Sequence, residues 1–413
     1  MFLKKISLIL VLLFYQSSLY SKSNSFIEIN SKNFSNYFSG IVAFENNENS
    51  KALDFFYSSK ILLNEHDPYL EKFIYSLVLE NKVSEAIRII KSNKGKNNLN
   101  FFEAHLLLVL DSLKKNDFND AYFQSVKKIN FDQKDNFNST ILESLVQYIH
   151  VFKEKKILVN GKNFGKLSYI SETFQKCFLN DKTAETYFLN LFNDLEADYT
   201  RYIYFYLSYL IENNRIDEAK KIVNDINYIN TTLLLSQGKS WIENGELEKF
   251  NKVFSCKNPN DIISEFLFLV SNLYSSQDNF ERSNFYLNLS NFLNPKFIFN
   301  LSLVSENQYL NGEYKKAKKT LKNFKKGDGF YYWYRIKKEA QIIAKQKNKK
   351  ESLNYITAEF NKIDNKNDKM IFDIANFYKN SKEYKKAINY YTILINSISD
   401  NSEMKSEILY RRG

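Results

Sequence analysis

A period close to 34 residues runs through most of this chain of 413 residues. One position of the period is Ala or Ser in eight of its nine copies, and Phe250 is the exception. The nine copies are Ala52, Ala86, Ala121, Ala219, Phe250, Ser283, Ala317, Ser352 and Ala387. They are separated by 34 and 35 residues, then by 98, and then by 31, 33, 34, 35 and 35. A repeat of about 20–50 residues indicates stacked copies of one supersecondary unit.

Two further columns of the period indicate that the unit is a helical hairpin. Five residues before the small position, seven of nine residues are Gly, Asn or Asp, which readily adopt the left-handed conformation that ends a helix. This turn column consists of Asn47, Asn81, Asn116, Asn214, Gly245, Asp278, Gly312, Lys347 and Lys382. Twelve residues before the small position lie mostly small residues, including Gly40 and Gly238, which permit close approach of neighbouring helices. The chain has only 10 Gly and 3 Pro, which also favours long helices over a turn-rich β fold.

These columns resemble the tetratricopeptide repeat (TPR), a helix–turn–helix unit. The two units that match it best are Trp241-x-x-x-Gly245-x-Leu247 and Tyr378-x-x-x-Lys382-x-Tyr384-x-x-Ala387-x-x-x-Tyr391. The chain also resembles a group of exported α-proteobacterial TPR proteins in three short stretches, Ser39-Gly40-Ile41-Val42-Ala43, Tyr332-Trp333-Tyr334-Arg335-Ile336 and Leu409-Tyr410-Arg411-Arg412-Gly413. The TPR resemblance implies an all-α, right-handed α-α superhelix of about eleven hairpins. It also implies a concave surface that binds an extended peptide or a partner's helix.

The repeats divide the chain into segments. We predict TPR-like repeats at 22–130 and 199–413, with degenerate helical repeats at 131–198, where the phase is lost over 98 residues. Helical apolar spacing at 138–152, 167–179 and 183–195 leaves room for about two altered hairpins, and divergence is favoured over a functional insertion. The end of the sequence looks like the first helix of another unit, so we expect a longer gene product.

The first 21 residues have the pattern of a secretory signal peptide. Lys4 and Lys5 precede an apolar run from Ile6 to Tyr15, and small or polar residues follow up to Ser21, where we expect cleavage. The apolar run is shorter than the about 20 residues of a spanning helix. We therefore predict export to the periplasm, with no integral membrane span after cleavage. An uncleaved signal that keeps the protein at the membrane is the alternative.

The formal charge of +11 does not by itself indicate a nucleic-acid partner. Only 7 of the 58 basic residues are Arg, the side chain best suited to bidentate phosphate binding, and the lysines are scattered among acids. Biased codon usage and solvated helix faces explain the charge better. We predict no nucleic-acid binding.

Catalytic and metal-binding motifs are missing from the sequence. The three histidines, His66, His105 and His150, are about forty residues apart, and neither HExxH, GxxxxGK[ST] nor GxSxG occurs. We predict no catalytic residue, no cofactor and no metal site, and a protein that is not an enzyme. The alternative is a helical docking frame for a cell-wall or envelope enzyme whose catalytic domain lies beyond residue 413.

Two cysteines, Cys177 and Cys256, lie in different predicted repeats and have no Cys or His at metal-binding spacing. A chain of this length can bury a core large enough to be stable without a disulfide. Two buried free thiols are therefore favoured, and one disulfide is the alternative.

The chain has 29 Tyr and 36 Phe, with dense runs at 199–209 and 330–334. Most of these rings should pack between helices. A run that covers every side of a helix exceeds what packing needs, so some rings could face the concave groove and anchor a partner. The candidates are Tyr202, Tyr206, Tyr331 and Tyr334. The predicted function is a periplasmic scaffold that binds a protein or peptide of the cell envelope.

Overall fold

The computed structural model describes residues 30–64, 66–93, 99, 101–126, 136–192, 200–229, 231–398 and 403–413. These residues form 22 α-helices and no β-strand, so the predicted all-α fold class is confirmed for them. The predicted signal peptide lies outside the described residues. So do the predicted segment boundaries near residues 130 and 198, which stay predictions.

The helices follow one another with short connections. In chain order they are α1 (Ser31–Glu45), α2 (Asn49–Ser58), α3 (Asp67–Leu79), α4 (Val83–Ser92), α5 (Phe102–Lys114), α6 (Phe118–Val126), α7 (Asn136–Glu154), α8 (Lys166–Phe178), α9 (Ala184–Phe192), α10 (Arg201–Glu212), α11 (Ile216–Asn224), α12 (Leu233–Glu243), α13 (Glu248–Val253), α14 (Pro259–Ser275), α15 (Phe280–Leu293), α16 (Asn300–Leu310), α17 (Tyr314–Leu321), α18 (Phe330–Gln346), α19 (Lys349–Asn361), α20 (Asp368–Asn380), α21 (Tyr384–Ser397) and α22 (Glu403–Arg412). A 3₁₀ helix at Lys60–Asn64 follows α2. The chain divides into two compact units, one ending at Ser76 and the other beginning at Leu77.

The predicted turn column forms the turns of the hairpins. Eight of its nine residues have φ between 58° and 75°. Each follows a first helix whose last carbonyls it caps, as at Gly245, whose N–H donates to the Ile242 carbonyl while the next N–H, of Glu246, donates to the Trp241 carbonyl. This pair of bonds is the Schellman motif, which satisfies carbonyls that a helix end leaves without partners. Asn, Asp and Gly recur here because the motif needs a left-handed residue.

Lys347 is the exception in this column, with φ of −128°. Asn348 follows it directly and caps α19 by accepting the Glu351 N–H in its side chain. An N-cap of this kind needs an extended residue rather than a left-handed one. The turn between α18 and α19 is therefore built from an N-cap instead of a Schellman motif.

Lys347 and Lys382 belong to the same turn column but differ in backbone conformation. Substitution by glycine should therefore change their contributions to stability in opposite directions. Lys382 has φ of 64° and Lys347 has φ of −128°. A left-handed non-glycine residue costs about 1–2 kcal/mol, and glycine loses about 0.5–1 kcal/mol more conformational freedom on folding. We expect Lys382→Gly to raise the free energy of unfolding by about 0.5–1 kcal/mol and Lys347→Gly to lower it. Urea titration of both variants checks this, and changes of the same sign would contradict it.

The segment with the lost phase contains one hairpin and one single helix. α8 and α9 form a hairpin, turned at Asn180 with φ of 51°. α7 has no second helix, because the chain after it turns back along α7. There Lys162 bonds the Glu143 carboxylate at 2.6 Å, and its carbonyl accepts the Gln147 amide at 2.9 Å. The described residues thus contain ten hairpins and two single helices, α7 and α22, where the sequence predicted about eleven hairpins.

Gly40 and Gly238, each twelve residues before the small position of its unit, lie where helices approach closely. A Cβ added to Gly238 would come within 2.8 Å of Tyr204 Cδ2, and one added to Gly40 within 2.6 Å of Phe56 Cε1. Ring atoms held in a core cannot move away cheaply, so these positions admit no side chain. The expected role of this column in close helix approach holds at both glycines.

Within the second unit, hairpins that are far apart in the chain also touch. α14 packs against α5, α7 and α8, α15 packs against α4, and α12 packs against α18. The Asn288 amide donates to the Val78 carbonyl at 2.9 Å, and the Lys114 ammonium donates to the Leu293 carbonyl at 2.7 Å. In an open solenoid each repeat contacts only its neighbours. Here α14 and α15 return to helices from which several other hairpins separate them in the chain.

Candidate functional site

Cys177 and Cys256 form a disulfide, so the prediction of two free thiols is wrong. Their Cα atoms are 5.6 Å apart although 79 residues separate them in sequence, and both side chains are buried. Cys177 is in the last turn of α8, and Cys256 lies between α13 and α14. The two cysteines lie side by side because α14 packs on α8, which repeat spacing alone does not reveal.

Three of the four candidate tyrosines are in the interior, and the fourth is partly exposed. Tyr202, Tyr206 and Tyr331 are each 2% exposed, and Tyr334 is half-buried. The Tyr206 hydroxyl donates to Glu185 at 2.5 Å, and the Tyr334 hydroxyl donates to the Ser302 carbonyl at 2.9 Å. Tyr202, Tyr206 and Tyr331 therefore lack the accessibility that we expected, because packing between hairpins covers more of each helix than periodicity predicts. Contact of these four residues with a partner stays a prediction.

Tyr331 borders a small cavity of about 130 Å³ between α12 and α18. Gln237 and Trp241 of α12 line its other side. The Gln237 amide oxygen accepts the Phe330 N–H at 3.0 Å, which ties the start of α18 to α12. The cavity is smaller than the about 300–1,000 Å³ of ordinary ligand pockets.

An ion pair between α10 and α14 lies inside the second unit. The Arg201 guanidinium donates from Nε and a terminal nitrogen to the two carboxylate oxygens of Glu265, at 2.8 and 2.6 Å. The Glu265 side chain is fully buried, and burial raises the pKa of its carboxyl while Arg201 opposes that rise. The guanidinium also lies 3.8 Å from the ring centre of Phe268 and 4.6 Å from that of Phe299. This cluster holds helices together, and sequence analysis missed it because nothing local pairs residues 64 positions apart.

A cavity of about 720 Å³ opens on the surface of the second unit beside the disulfide. It lies where the end of α7, the end of α8 and the segment between α13 and α14 meet. Its lining is Lys155, Lys156, Ile157, Phe178, Leu179, Asp181 and Lys257. We call it the lysine-rimmed cavity. Phe178 follows Cys177 and Lys257 follows Cys256, so the disulfide joins two of its walls.

The charges of this cavity are mainly positive. The three lysines are exposed, and the Lys155 ammonium lies 4.4 Å from the ring centre of Phe178. Asp181 is the one acid of the lining, and its carboxylate already accepts the Thr183 hydroxyl at 2.5 Å and the Thr183 N–H at 2.7 Å. These two bonds hold the pKa of the Asp181 carboxyl below its usual value. The arrangement suits binding of an anionic group beside apolar surface.

No group of three or more His, Cys, Asp and Glu side chains with metal-binding geometry occurs in the described ranges. None of the helices in those ranges is long and apolar enough to cross a bilayer. The absence of enzymatic activity stays a prediction.

No protein-family model and no curated protein matches this sequence. Similar solved structures include the TPR domain of P58(IPK), yeast Tom70 and the Cut9–Hcn1 hetero-tetramer of APC/C. They are 13%, 12% and 12% identical to this chain, with TM-scores of 0.27, 0.24 and 0.30. The matches cover 92%, 92% and 93% of this chain and 97%, 94% and 91% of the others. The assignment of helical hairpin repeats rests on the helices and turns described above.

Proposed function

We propose that this protein is an exported scaffold that binds a protein or peptide partner in the bacterial periplasm and takes part in envelope assembly. The observation that carries the proposal is the lysine-rimmed cavity, an open and partly apolar depression on an array of helical hairpins. Its volume falls within the about 300–1,000 Å³ typical of binding pockets. The binding surface proposed is thus this cavity rather than the four tyrosines.

Two observations support export. The first 21 residues have the basic, apolar and small-residue order of a secretory signal. The disulfide between Cys177 and Cys256 is of the kind that persists in oxidising compartments and is rare in the cytosol. The first depends on the sequence alone and the second on the fold, so the two are independent.

Site-specific photo-crosslinking in living cells tests the function. A photoreactive phenylalanine analogue is placed at Lys156, on the rim of the cavity, or at Lys350, an exposed position of α19. We expect an adduct with an envelope protein from position 156, recovered in the periplasmic fraction and identified by mass spectrometry, and none from position 350. An excess of this protein without the photoreactive residue should compete for the partner and lower the yield of the adduct.

The same adduct from both positions would mean that the cavity is not the binding surface. Absence of any adduct from position 156, with the protein present in the periplasm, would refute the proposal for this cavity. Recovery of the full-length protein in the cytoplasm alone would refute its export.

A further inference from the structure

We infer that the partner segment held in the lysine-rimmed cavity is an acidic peptide whose carboxylates flank an apolar side chain. This inference rests on the proposed function and adds the chemistry of the partner. It follows from the distribution of charge around the cavity and from the apolar surface at its floor.

Positive charge predominates among the residues that line the cavity. Lys155, Lys156 and Lys257 supply three ammonium groups, and Asp181 supplies one carboxylate. The C-termini of α7 and α8 meet at the cavity, and each contributes the equivalent of about −0.5 charge. Helix ends and Asp181 together offset about two of the three positive charges. Glu212, which is not part of the lining, pairs with Lys257 at 3.6 Å, so a ligand carboxylate would replace this exposed and loose pair.

The lysines are also available for new contacts. Lys156 forms no ion pair within the described part of the chain, although Glu154 lies close enough to attract it, and Lys155 faces the Phe178 ring rather than a carboxylate. The Lys257 ammonium is 3.6 Å from a Glu212 oxygen, which is longer than a hydrogen bond. That Glu212 oxygen already accepts the Ser255 hydroxyl at 2.7 Å. A carboxylate brought by a partner can therefore bind these ammonium groups more closely than any acid of this chain does.

The floor of the cavity selects for an apolar side chain. Ile157, Phe178 and Leu179 line it and are each partly exposed. Covering this surface would add hydrophobic stabilisation to the ion pairs, which alone are weak at an exposed site. None of the seven arginines lines the cavity, so the bidentate geometry that suits phosphate is absent there. The combination favours carboxylates next to an apolar side chain over a phosphorylated or nucleic-acid ligand.

Fluorescence anisotropy with defined peptides tests this inference on the full mature chain. The labelled probe is the capped hexapeptide Asp-Glu-Leu-Phe-Asp-Glu. Its comparisons are the neutral Asn-Gln-Leu-Phe-Asn-Gln and the acidic but polar Asp-Glu-Ser-Ser-Asp-Glu. We expect the first peptide to bind more tightly than both others at low salt, and added salt to weaken that binding.

Two triple variants with the same change in net charge separate the cavity from the general charge of the protein. Lys155→Gln/Lys156→Gln/Lys257→Gln removes the rim, and Lys315→Gln/Lys319→Gln/Lys322→Gln removes three exposed lysines at α17. With a factor of about two for each exposed ion pair, the rim variant should bind the first peptide about tenfold more weakly. The control variant should bind within about twofold of the unmodified protein, because no pair is lost.

Equal weakening in both variants would overturn the inference, as would equal binding of the acidic and neutral peptides by the unmodified protein. If an adduct forms at position 156 in cells but the protein does not prefer the acidic peptide, the proposed scaffold function stands and the inference of an acidic partner is wrong. If the peptide preference is found but no adduct forms in cells, the inferred chemistry stands and the proposed function falls.

Discussion

Arg201→Ala is expected to lower the free energy of unfolding by about 3–5 kcal/mol, because it leaves a buried carboxylate without its partner. Glu265 has no solvent exposure, and its two oxygens bind only Arg201 among the described side chains. The guanidinium is itself enclosed, with 13% of the side chain exposed and with Phe268 and Phe299 against its faces. Truncation therefore removes an ion pair and aromatic contacts at once. Equilibrium unfolding in urea measures the loss.

A second arginine serves as the matched control. Arg215 also forms a bidentate pair, with Glu185, and bonds Glu218 in addition. Its side chain is 30% exposed and those of the two acids are 33% and 53% exposed. Pairs this accessible contribute about 0–1 kcal/mol, so Arg215→Ala should cost much less than Arg201→Ala. Equal losses would show that burial of Glu265 is not the cause.

The pH dependence of the Arg201→Ala effect has a definite sign. Burial raises the pKa of the Glu265 carboxyl, and removal of Arg201 leaves that burial unopposed. A carboxyl with a raised folded-state pKa favours folding below its unfolded pKa and loses that contribution as pH rises through the folded pKa. The difference between the variant and the unmodified protein should therefore shrink as the pH falls from 7 towards about 4. A constant difference would contradict the assignment to Glu265.

Removal of the disulfide has the second large expected effect. In Cys177→Ala/Cys256→Ala, the unfolded chain regains the freedom of a loop of 79 residues. Loop-entropy estimates give about 3 kcal/mol for a loop of ~15 residues and about 4.7 for ~100, and measured losses are commonly about 2–5. We expect the free energy of unfolding of the double variant to be about 4 kcal/mol lower than that of the oxidised protein.

Reducing agent provides the control for this prediction. It should destabilise the unmodified protein by a similar amount and leave the double variant unchanged, since the variant has no bond to reduce. Thermal unfolding with and without reductant measures both. Equal stability of the oxidised protein and the double variant would mean that the bond does not constrain the unfolded chain.

Local features of the hairpins were predictable because they depend on short-range interactions. Asn81, Asp278 and Gly312 adopt the left-handed turn that their residue types favour. Gly238 lies at a close helix contact, as expected from the small residues found twelve positions before the small position of each unit. Lys382 adopts the same turn although its residue type does not favour it, so the repeat phase carried information that composition alone lacks.

The candidate site was not predictable because its parts are distant in sequence. Phe178 and Lys257 border one cavity although they belong to segments about eighty residues apart, and the disulfide beside them depends on the same packing of α14 on α8. The low exposure of three of the four candidate tyrosines has a related reason. The 2% exposure of Tyr202 and Tyr331 depends on neighbouring hairpins and on the packing of α18 on α12, which periodicity within one helix cannot contain.

The sequence by itself determined the helical hairpin, its length and the conformation of nearly every turn, because these follow from backbone preferences and side-chain spacing within about 34 residues. Only the tertiary structure decided which hairpins meet, since that choice depends on the combined burial of surfaces from distant segments. The return of α14 and α15 to α4, α5, α7 and α8 brings Cys177 to Cys256 and assembles the lysine-rimmed cavity. The Arg201–Glu265 pair likewise exists only because α10 and α14 pack together.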